Sequence, residues 1–325
     1  MYRYEKKSLA KDLKNARQLL KAFDAGRLRG KKAVALHKAV QEALFPWYVP
    51  MLNDVERNQF YFKVLKSNVP NKTVFEIGTG VGLLAIMAAR LGAKHVYTCE
   101  MNPLLYELAR KNILKSGVAD RITLIYGNSK KLKLKKHIPE KVDFIVSENI
   151  ANDILSERMI STLKDSKRFL KSGGRFLPEQ VTASIQMIEL KVQPPWRTTE
   201  ELEFTKDLNR LVDFKIQFIF LTKDNHRRLS KVKDLFKIER GCIVEPSFPI
   251  FQKVKAEKRF ASIKDKYLCL HFEIKDGSHS YTSYDPKALD DSSKHWIQAV
   301  WHLGDKAAYN LVFHEDDESI YLERS

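Results

Sequence analysis

Apolar residues near the start of the chain recur at alternating spacings of four and three: Leu9, Leu13, Ala16, Leu20 and Phe23. That spacing lays one apolar stripe along a helix, and Ser8 stands where a cap would start it. Gly26 and Gly30 break the pattern, and a second helical stretch is expected over about 31–44. The aromatic cluster Phe45, Trp47 and Tyr48, interrupted by Pro46, follows. The period then changes. Short β-branched or apolar runs at 73–77, 95–100, 122–126 and 142–148 read as strands, with helical stretches at 83–91 and 104–115 separating the first three. Strands alternating with helices predict βαβ units and a parallel sheet. A further helix is expected over about 153–170, ending at Gly173-Gly174. After Pro178 the alternation stops. Runs at 181–188, 214–221, 267–274 and 296–303 read as strands, Asp276-Gly277 reads as a turn, and 194–237 includes an irregular, partly helical insertion. The expected order is N-terminal helices over 1–46, an α/β domain over 47–178 and a β-rich domain over 179–325.

Composition narrows the class. At 325 residues the chain exceeds one typical domain, and 44% hydrophobic residues suffice for packed cores. No apolar stretch is long enough to cross a bilayer, and the charged start lacks the apolar stretch of a signal peptide. Cys99, Cys242 and Cys269 are too few and too scattered for a disulfide framework or a zinc site, so no metal is expected. These features predict a cytoplasmic protein, or a nuclear one in a eukaryote. Lysine and arginine exceed aspartate and glutamate by 57 to 40, a net charge of +17. That balance leaves nucleic acid open as a partner, against the plainer reading of a lysine-rich, solvated surface. The one dense run, Lys130, Lys131, Lys133, Lys135 and Lys136, falls in a predicted connection and is expected to face water.

The strongest local signal is Val74-Phe75-Glu76-Ile77-Gly78-Thr79-Gly80-Val81-Gly82. A strand runs into an acidic residue and then into glycines at alternate positions. Such glycines let backbone approach a ligand, and the N-terminus of the following helix offers free N–H groups. The spacing is not the GxGxxG of dinucleotide sites. Glu100 ends the next strand, 24 positions after Glu76, where a carboxylate can accept two hydrogen bonds from ribose hydroxyls. A tight turn in an unrelated α/β domain is the competing reading. Glycine loop, acidic strand end and interval together resemble the S-adenosylmethionine site of class I methyltransferases. The resemblance implies cofactor contacts from Glu76, Gly78, Gly80, Gly82, Glu100, Met101 and Ser129, with S-adenosylhomocysteine as product.

Three further segments resemble the protein arginine methyltransferases. Met51-Leu52-Asn53-Asp54-Val55-Glu56-Arg57 matches the family's Met-Leu-x-Asp-x-x-Arg segment, which implies that Arg57 pairs with the methionine carboxylate of the cofactor. Glu148 and Glu157, nine positions apart, match its double-Glu loop. Lys294-His295-Trp296 resembles its Thr-His-Trp loop, with Lys294 in place of the Thr. The resemblance implies a Rossmann-like methyltransferase domain followed by a β-barrel-like substrate domain. It also implies an arginine-bearing protein or peptide as substrate, and a homodimer formed through an arm for which 194–237 is the candidate. Glu148 and Glu157 become the catalytic clamp on the guanidinium, His295 and Asp54 its supporting pair, and Met51, Tyr48 and Trp296 the substrate pocket. Each has a plainer reading: Glu157 as a solvated surface residue, His295 as structural, Trp296 as core. Lys130 stands where many family members place a Glu beside the adenine, which implies either that Ser129 and backbone handle the adenine edge or that Lys130 turns outward. The wording "MLND" and "KHIPEKVDFIVSEN" is nearest the branch with monomethylating and symmetric-dimethylating members. A small guanidino compound as substrate, or a non-catalytic scaffold, remains as the alternative.

Overall fold

The computed structural model describes residues 6–46, 48–194, 196, 216–219, 221–222, 224–239, 242–245, 252–253, 260, 262–263, 265–283, 298–304, 310–314 and 318–323. These fall into two compact units. The first comprises 1–53, 57–149 and 162–178, and the second 54–56, 150–161 and 179–325.

The first unit is built on five parallel strands: β1 (Thr73–Ile77), β2 (His95–Glu100), β3 (Ile122–Tyr126), β4 (Val142–Ser147) and β5 (Leu170–Leu177). Their order is β3-β2-β1-β4-β5. Order reverses beside β1, so the loops after β1 and β4 open at one switch point, the usual place for a ligand in an open α/β sheet. Val74, Phe75, Ile145 and Val146 fill the sheet's interior at 0–1% exposure, as apolar runs buried on both faces must. Helices α1 (Lys6–Asp24), α2 (Lys31–Ala43), α3 (Tyr48–Asn53) and α4 (Val55–Asn68) precede the sheet, α5 (Leu83–Arg90) and α6 (Pro103–Lys115) follow β1 and β2, and α7 (Met159–Ser166) lies between β4 and β5. Leu20 of α1, Leu36 and Ala43 of α2 and Tyr48 of α3 bury together against Leu104 and Leu105 of α6, so the N-terminal helices pack into this unit. Phe23, placed on the apolar stripe by its spacing, is instead exposed.

Polar contacts fix the same docking. Arg17 Nε and Nη2 donate to one oxygen of Glu107, at 3.1 and 2.7 Å, and Arg110 Nε donates to the other at 3.0 Å. Burial opposes ionisation of Glu107, but the two arginines outweigh it and hold the carboxyl below its usual range.

The helix expected over 153–170 is shorter. Residues 150–158 form a turn-rich loop, α7 covers Met159–Ser166, and β5 begins at Leu170 and runs through Gly173-Gly174. Gly173 is left-handed, with φ 73°, and Gly174 marks a close approach to β4 rather than a helix end. A Cβ on Gly174 would stand 2.8 Å from the Leu170 side chain and 3.0 Å from the Asp143 carbonyl.

The second unit is antiparallel. Strand β6 (Gln180–Leu190) pairs with Lys266–Asp276 on one side and Lys233–Glu239 on the other. Gln298–Gly304 and then Gln217–Ile219 extend the sheet beyond Lys266–Asp276. Ile185, Met187, Cys269, Leu270 and Trp301 lie at its core. Residues 217–219 form a strand inside the run expected over 214–221, and 226–228 and 233–239 are strands within the stretch expected to be irregular and partly helical; 197–215 lie outside the described residues. Lys130, Lys131, Lys133, Lys135 and Lys136 are all exposed.

Because the ionised Glu107 is favoured by the fold, its contribution is present above the usual carboxylate range and lost as pH falls through its lowered folded value. Glu107→Gln is expected to destabilise the protein by about 1–2 kcal/mol near neutral pH, since Arg17 is half exposed and screened. Denaturant unfolding well below the carboxylate range should show wild type and variant converging. A difference that persists there would mean packing rather than charge.

Candidate active site

The loop after β1 has φ values of 77°, 57° and 95° at Gly78, Gly80 and Gly82, all left-handed. At Gly80 a side chain is excluded a second time, because a Cβ would stand 2.3 Å from the Tyr48 hydroxyl oxygen. Tyr48 is buried, and the Val81 N–H donates to its hydroxyl. Burial and the nearby Glu100 carboxylate push this phenol well above its ordinary value, so it remains neutral. Tyr48, assigned by the family resemblance to the substrate pocket, thus lies against the loop expected to receive the cofactor. Met51 is half-buried against the same apolar cluster.

The two acidic residues of the motif do different work. Glu76 is buried, and one of its oxygens accepts from the hydroxyls of Thr79, at 2.6 Å, and Thr98, at 2.5 Å. It braces the glycine loop against β2. Burial raises its pKa, and the two hydroxyls oppose that. Glu100 ends β2, where its two oxygens accept from the Gly80 N–H at 2.9 Å and the Asn102 N–H at 2.8 Å. Burial raises its pKa too, against these backbone donors. A carboxylate has about four acceptor sites, so the backbone bonds orient Glu100 and still allow it to accept ribose hydroxyls. Asn102 caps α6, and Met101 beside it is exposed. Ser129 is buried at the start of the turn after β3. That turn is pinned by Arg168, whose guanidinium donates to the carbonyls of Leu132 at 2.7 Å, Ser129 at 3.2 Å and Lys130 at 3.3 Å. Close-approach backbone, an acidic strand end and the free N-terminus of α5 together fit an adenosyl cofactor.

Arg57 and Glu148 hold each other. Arg57 Nε donates to Glu148 Oε1 at 2.9 Å, and Nη2 lies 2.6 Å from Oε2, a fork-to-fork pair 4% and 12% exposed. Arg57 Nη1 donates to Asn58 Oδ1 at 2.8 Å, and the Tyr61 ring lies under the guanidinium, 5.4 Å from centroid to carbon. Such a pair is costly to break from one side, about 3–5 kcal/mol when buried. The residues expected on the cofactor carboxylate and on the substrate guanidinium are therefore one charge network, across 91 positions of sequence. A planar guanidinium with five N–H donors can bridge Glu148 and a second carboxylate.

Two other expected residues belong to the second unit. Asp54 is fully buried and accepts from the Tyr281 hydroxyl at 2.6 Å. Glu157 is exposed, within a loop where Ile154 and Arg158 have φ of 70° and 56°. A buried, β-branched Ile154 in that region costs about 1–3 kcal/mol, and such strain gathers at functional loops. Immediately after it, the Ile160 and Ser161 N–H groups donate to the buried Glu318 carboxylate at 3.1 and 2.9 Å. His295, Trp296 and Lys294 lie outside the described residues, as does Trp47. Tyr281, Glu318 and Arg168 carry no motif or periodic signal. Only folding brings them to their partners. Among the described residues no cluster could hold a metal, and no helix is long and apolar enough to cross a membrane.

Sheet order, glycine loop and acidic strand end define an S-adenosylmethionine-dependent methyltransferase of class I. The family described as ribosomal protein L11 methyltransferase (PrmA) matches residues 60–199. An arginine N(omega)-methyltransferase of Streptomyces achromogenes subsp. streptozoticus is 32% identical over 263 residues, covering 78% of this chain and 69% of that protein. Protein arginine N-methyltransferase 9 of Xenopus laevis is 35% identical over 119 residues, 36% of this chain, and the match spans only 14% of that longer protein. The solved Trypanosoma brucei PRMT1 enzyme–prozyme complex with AdoHcy superposes with a TM-score of 0.67 at 18% identity, over 87% of this chain and 98% of that one, which establishes the common fold. The chain belongs to the arginine N-methyltransferase family.

The geometry at Gly80 generates a paired test. Gly80→Ala should weaken cofactor binding roughly tenfold or more, from left-handed strain and the collision with Tyr48. Tyr48→Phe in the same chain removes the colliding oxygen and should restore part of the affinity by calorimetry. No restoration would show that the collision is not what Gly80 avoids.

Proposed function

We propose that the protein transfers a methyl group from S-adenosylmethionine to a guanidino nitrogen of arginine in a protein or peptide. The observation that carries this reading is that the Glu148 carboxylate is already shaped to hold a guanidinium through two parallel hydrogen bonds. The Streptomyces relative matched over most of the chain is named for arginine, and the Xenopus laevis relative for protein arginine. Both names specify arginine, which supports the guanidinium as the reacting group.

A guanidinium is essentially always protonated and its lone pairs are delocalised, so it is a poor nucleophile. Glu148, with Glu157 as the second carboxylate on the strength of the double-Glu resemblance, concentrates positive charge on part of the group. One terminal nitrogen is then freed to attack. When bound, the cofactor supplies an electrophilic methyl on a sulfonium. The two carboxylates would aim the freed nitrogen at that methyl, with the thioether as leaving group and the nitrogen's surplus proton passing to water. Arg57 and Glu100 would orient the cofactor's two ends, and alignment of this kind can supply about 7–11 kcal/mol of the barrier. The family resemblance pairs His295 with Asp54, whose carboxylate accepts from the Tyr281 hydroxyl. A dimer, closure of the second unit into a barrel and a cytoplasmic location complete the reading. The free, buried Cys99 and Cys269 support a reducing compartment.

Glu148→Gln and Glu157→Gln should each lower kcat on an arginine peptide by about 100-fold or more. Glu157→Gln should leave cofactor affinity unchanged. Full activity in both would rule out a carboxylate clamp and point to another nucleophile.

Net charge yields a second test. At +17 the protein repels a cationic peptide at long range, while Glu148 attracts one arginine locally. Physiological salt screens beyond roughly 8 Å, so the effect falls on encounter. Of two peptides differing only in flanking charge, the acidic-flanked one should have the higher kcat/KM at low salt, with the advantage shrinking as salt rises. Preference for the basic-flanked peptide at every ionic strength would refute this.

A further inference from the structure

Tyr61 lies on α4, one turn after Arg57, with no part of its side chain exposed. Its ring supports the Arg57 guanidinium, and it packs edge-on to Phe60, with ring centroids 5.3 Å apart. Its hydroxyl is enclosed and meets no hydrogen-bond partner among the described residues. A buried hydroxyl without a partner is destabilising, and a phenylalanine would fill the same space without that penalty. Such a group in a folded protein calls for an explanation, and a role in binding or catalysis is one. Burial and the Glu148 carboxylate push the phenol well above its ordinary value, so it stays a neutral donor at any working pH.

Glu148 has a complementary need. Both of its oxygens are engaged by Arg57. An arriving substrate guanidinium must take at least one of them, and two guanidinium cations on one carboxylate repel each other. The Arg57 contacts then loosen, and Glu148 loses the partner that fixes its orientation when orientation matters most. We propose that Tyr61 is a positioning residue whose hydroxyl donates to Glu148 as the substrate guanidinium displaces Arg57, keeping the carboxylate aimed during methyl transfer. This deepens the arginine methyltransferase reading and rests on it. The hydroxyl remains unsatisfied in the resting protein and gains its partner in the complex that reacts, where the interaction raises the rate.

Tyr61→Phe separates this role from a structural one. The expected result is a melting temperature equal to or above that of wild type and unchanged cofactor affinity by calorimetry. KM for an arginine peptide should stay near wild type while kcat falls about tenfold or more, the worth of one hydrogen bond to a charged group. Wild-type kcat in the variant overturns the proposal. So does a melting temperature lowered by roughly 3 °C or more, which would mean that the hydroxyl is already partnered in the resting protein. A wild-type protein that methylates no arginine substrate fails the functional reading itself and takes the proposal with it. That outcome is distinct from an active wild type matched by its variant.

Discussion

The buried ion pair between Arg57 and Glu148 is the constraint around which the first unit's site is arranged. It joins the start of α4 to the end of β4 and places one positive and one negative group where both are shielded from water. Neither charge can be removed alone at small cost. On the proposed reading each is also the group that the reaction calls on, Arg57 for an anionic cofactor end and Glu148 for a cationic substrate. The pair keeps both charges satisfied until ligands of opposite sign compete for them. Exchange of partners, rather than creation of new charge, is then what ligand binding has to accomplish.

The remaining features of this unit follow from the same economy of buried polar groups. Glu76 is spent on bracing the glycine loop through Thr79 and Thr98, which leaves Glu100 as the acidic group able to meet a ribose. Arg168 uses one guanidinium to hold three carbonyls of the turn that follows β3. In the second unit, Glu318 supplies the acceptor that the first N–H groups of α7 lack, and a left-handed Ile154 is tolerated just before it. Each of these devices fixes backbone next to a residue with a proposed chemical role.

Much of the fold was legible because it is written in short-range periodicity. The first four strands of the parallel sheet and the helices α1, α2, α5 and α6 fall where alternation and 3.6-residue spacing put them. The glycine loop was equally legible, since alternate glycines after an acidic strand have few other uses. What was missed depends on contacts that no local pattern encodes. The Gly173-Gly174 pair reads as a helix stop, yet it lies inside β5, where Gly174 is needed because a side chain there would strike Leu170 and β4 backbone. Helix α4 was missed because the Met-Leu-x-Asp-x-x-Arg segment was read for its chemistry and not its period, although Phe60, Tyr61, Val64 and Leu65 form its buried face. The pairing of Arg57 with Glu148 joins two motifs that sequence reasoning assigned to different ligands.

The central claim is that the nucleophile is a guanidino nitrogen. Incubation of the protein with isotopically labelled S-adenosylmethionine and an arginine peptide, followed by tandem mass spectrometry, locates the transferred methyl directly. The account predicts the label on a guanidino nitrogen of arginine, with none on lysine, histidine or the peptide termini. Label on any other atom, or efficient transfer to a peptide in which every arginine is replaced by lysine, would contradict it.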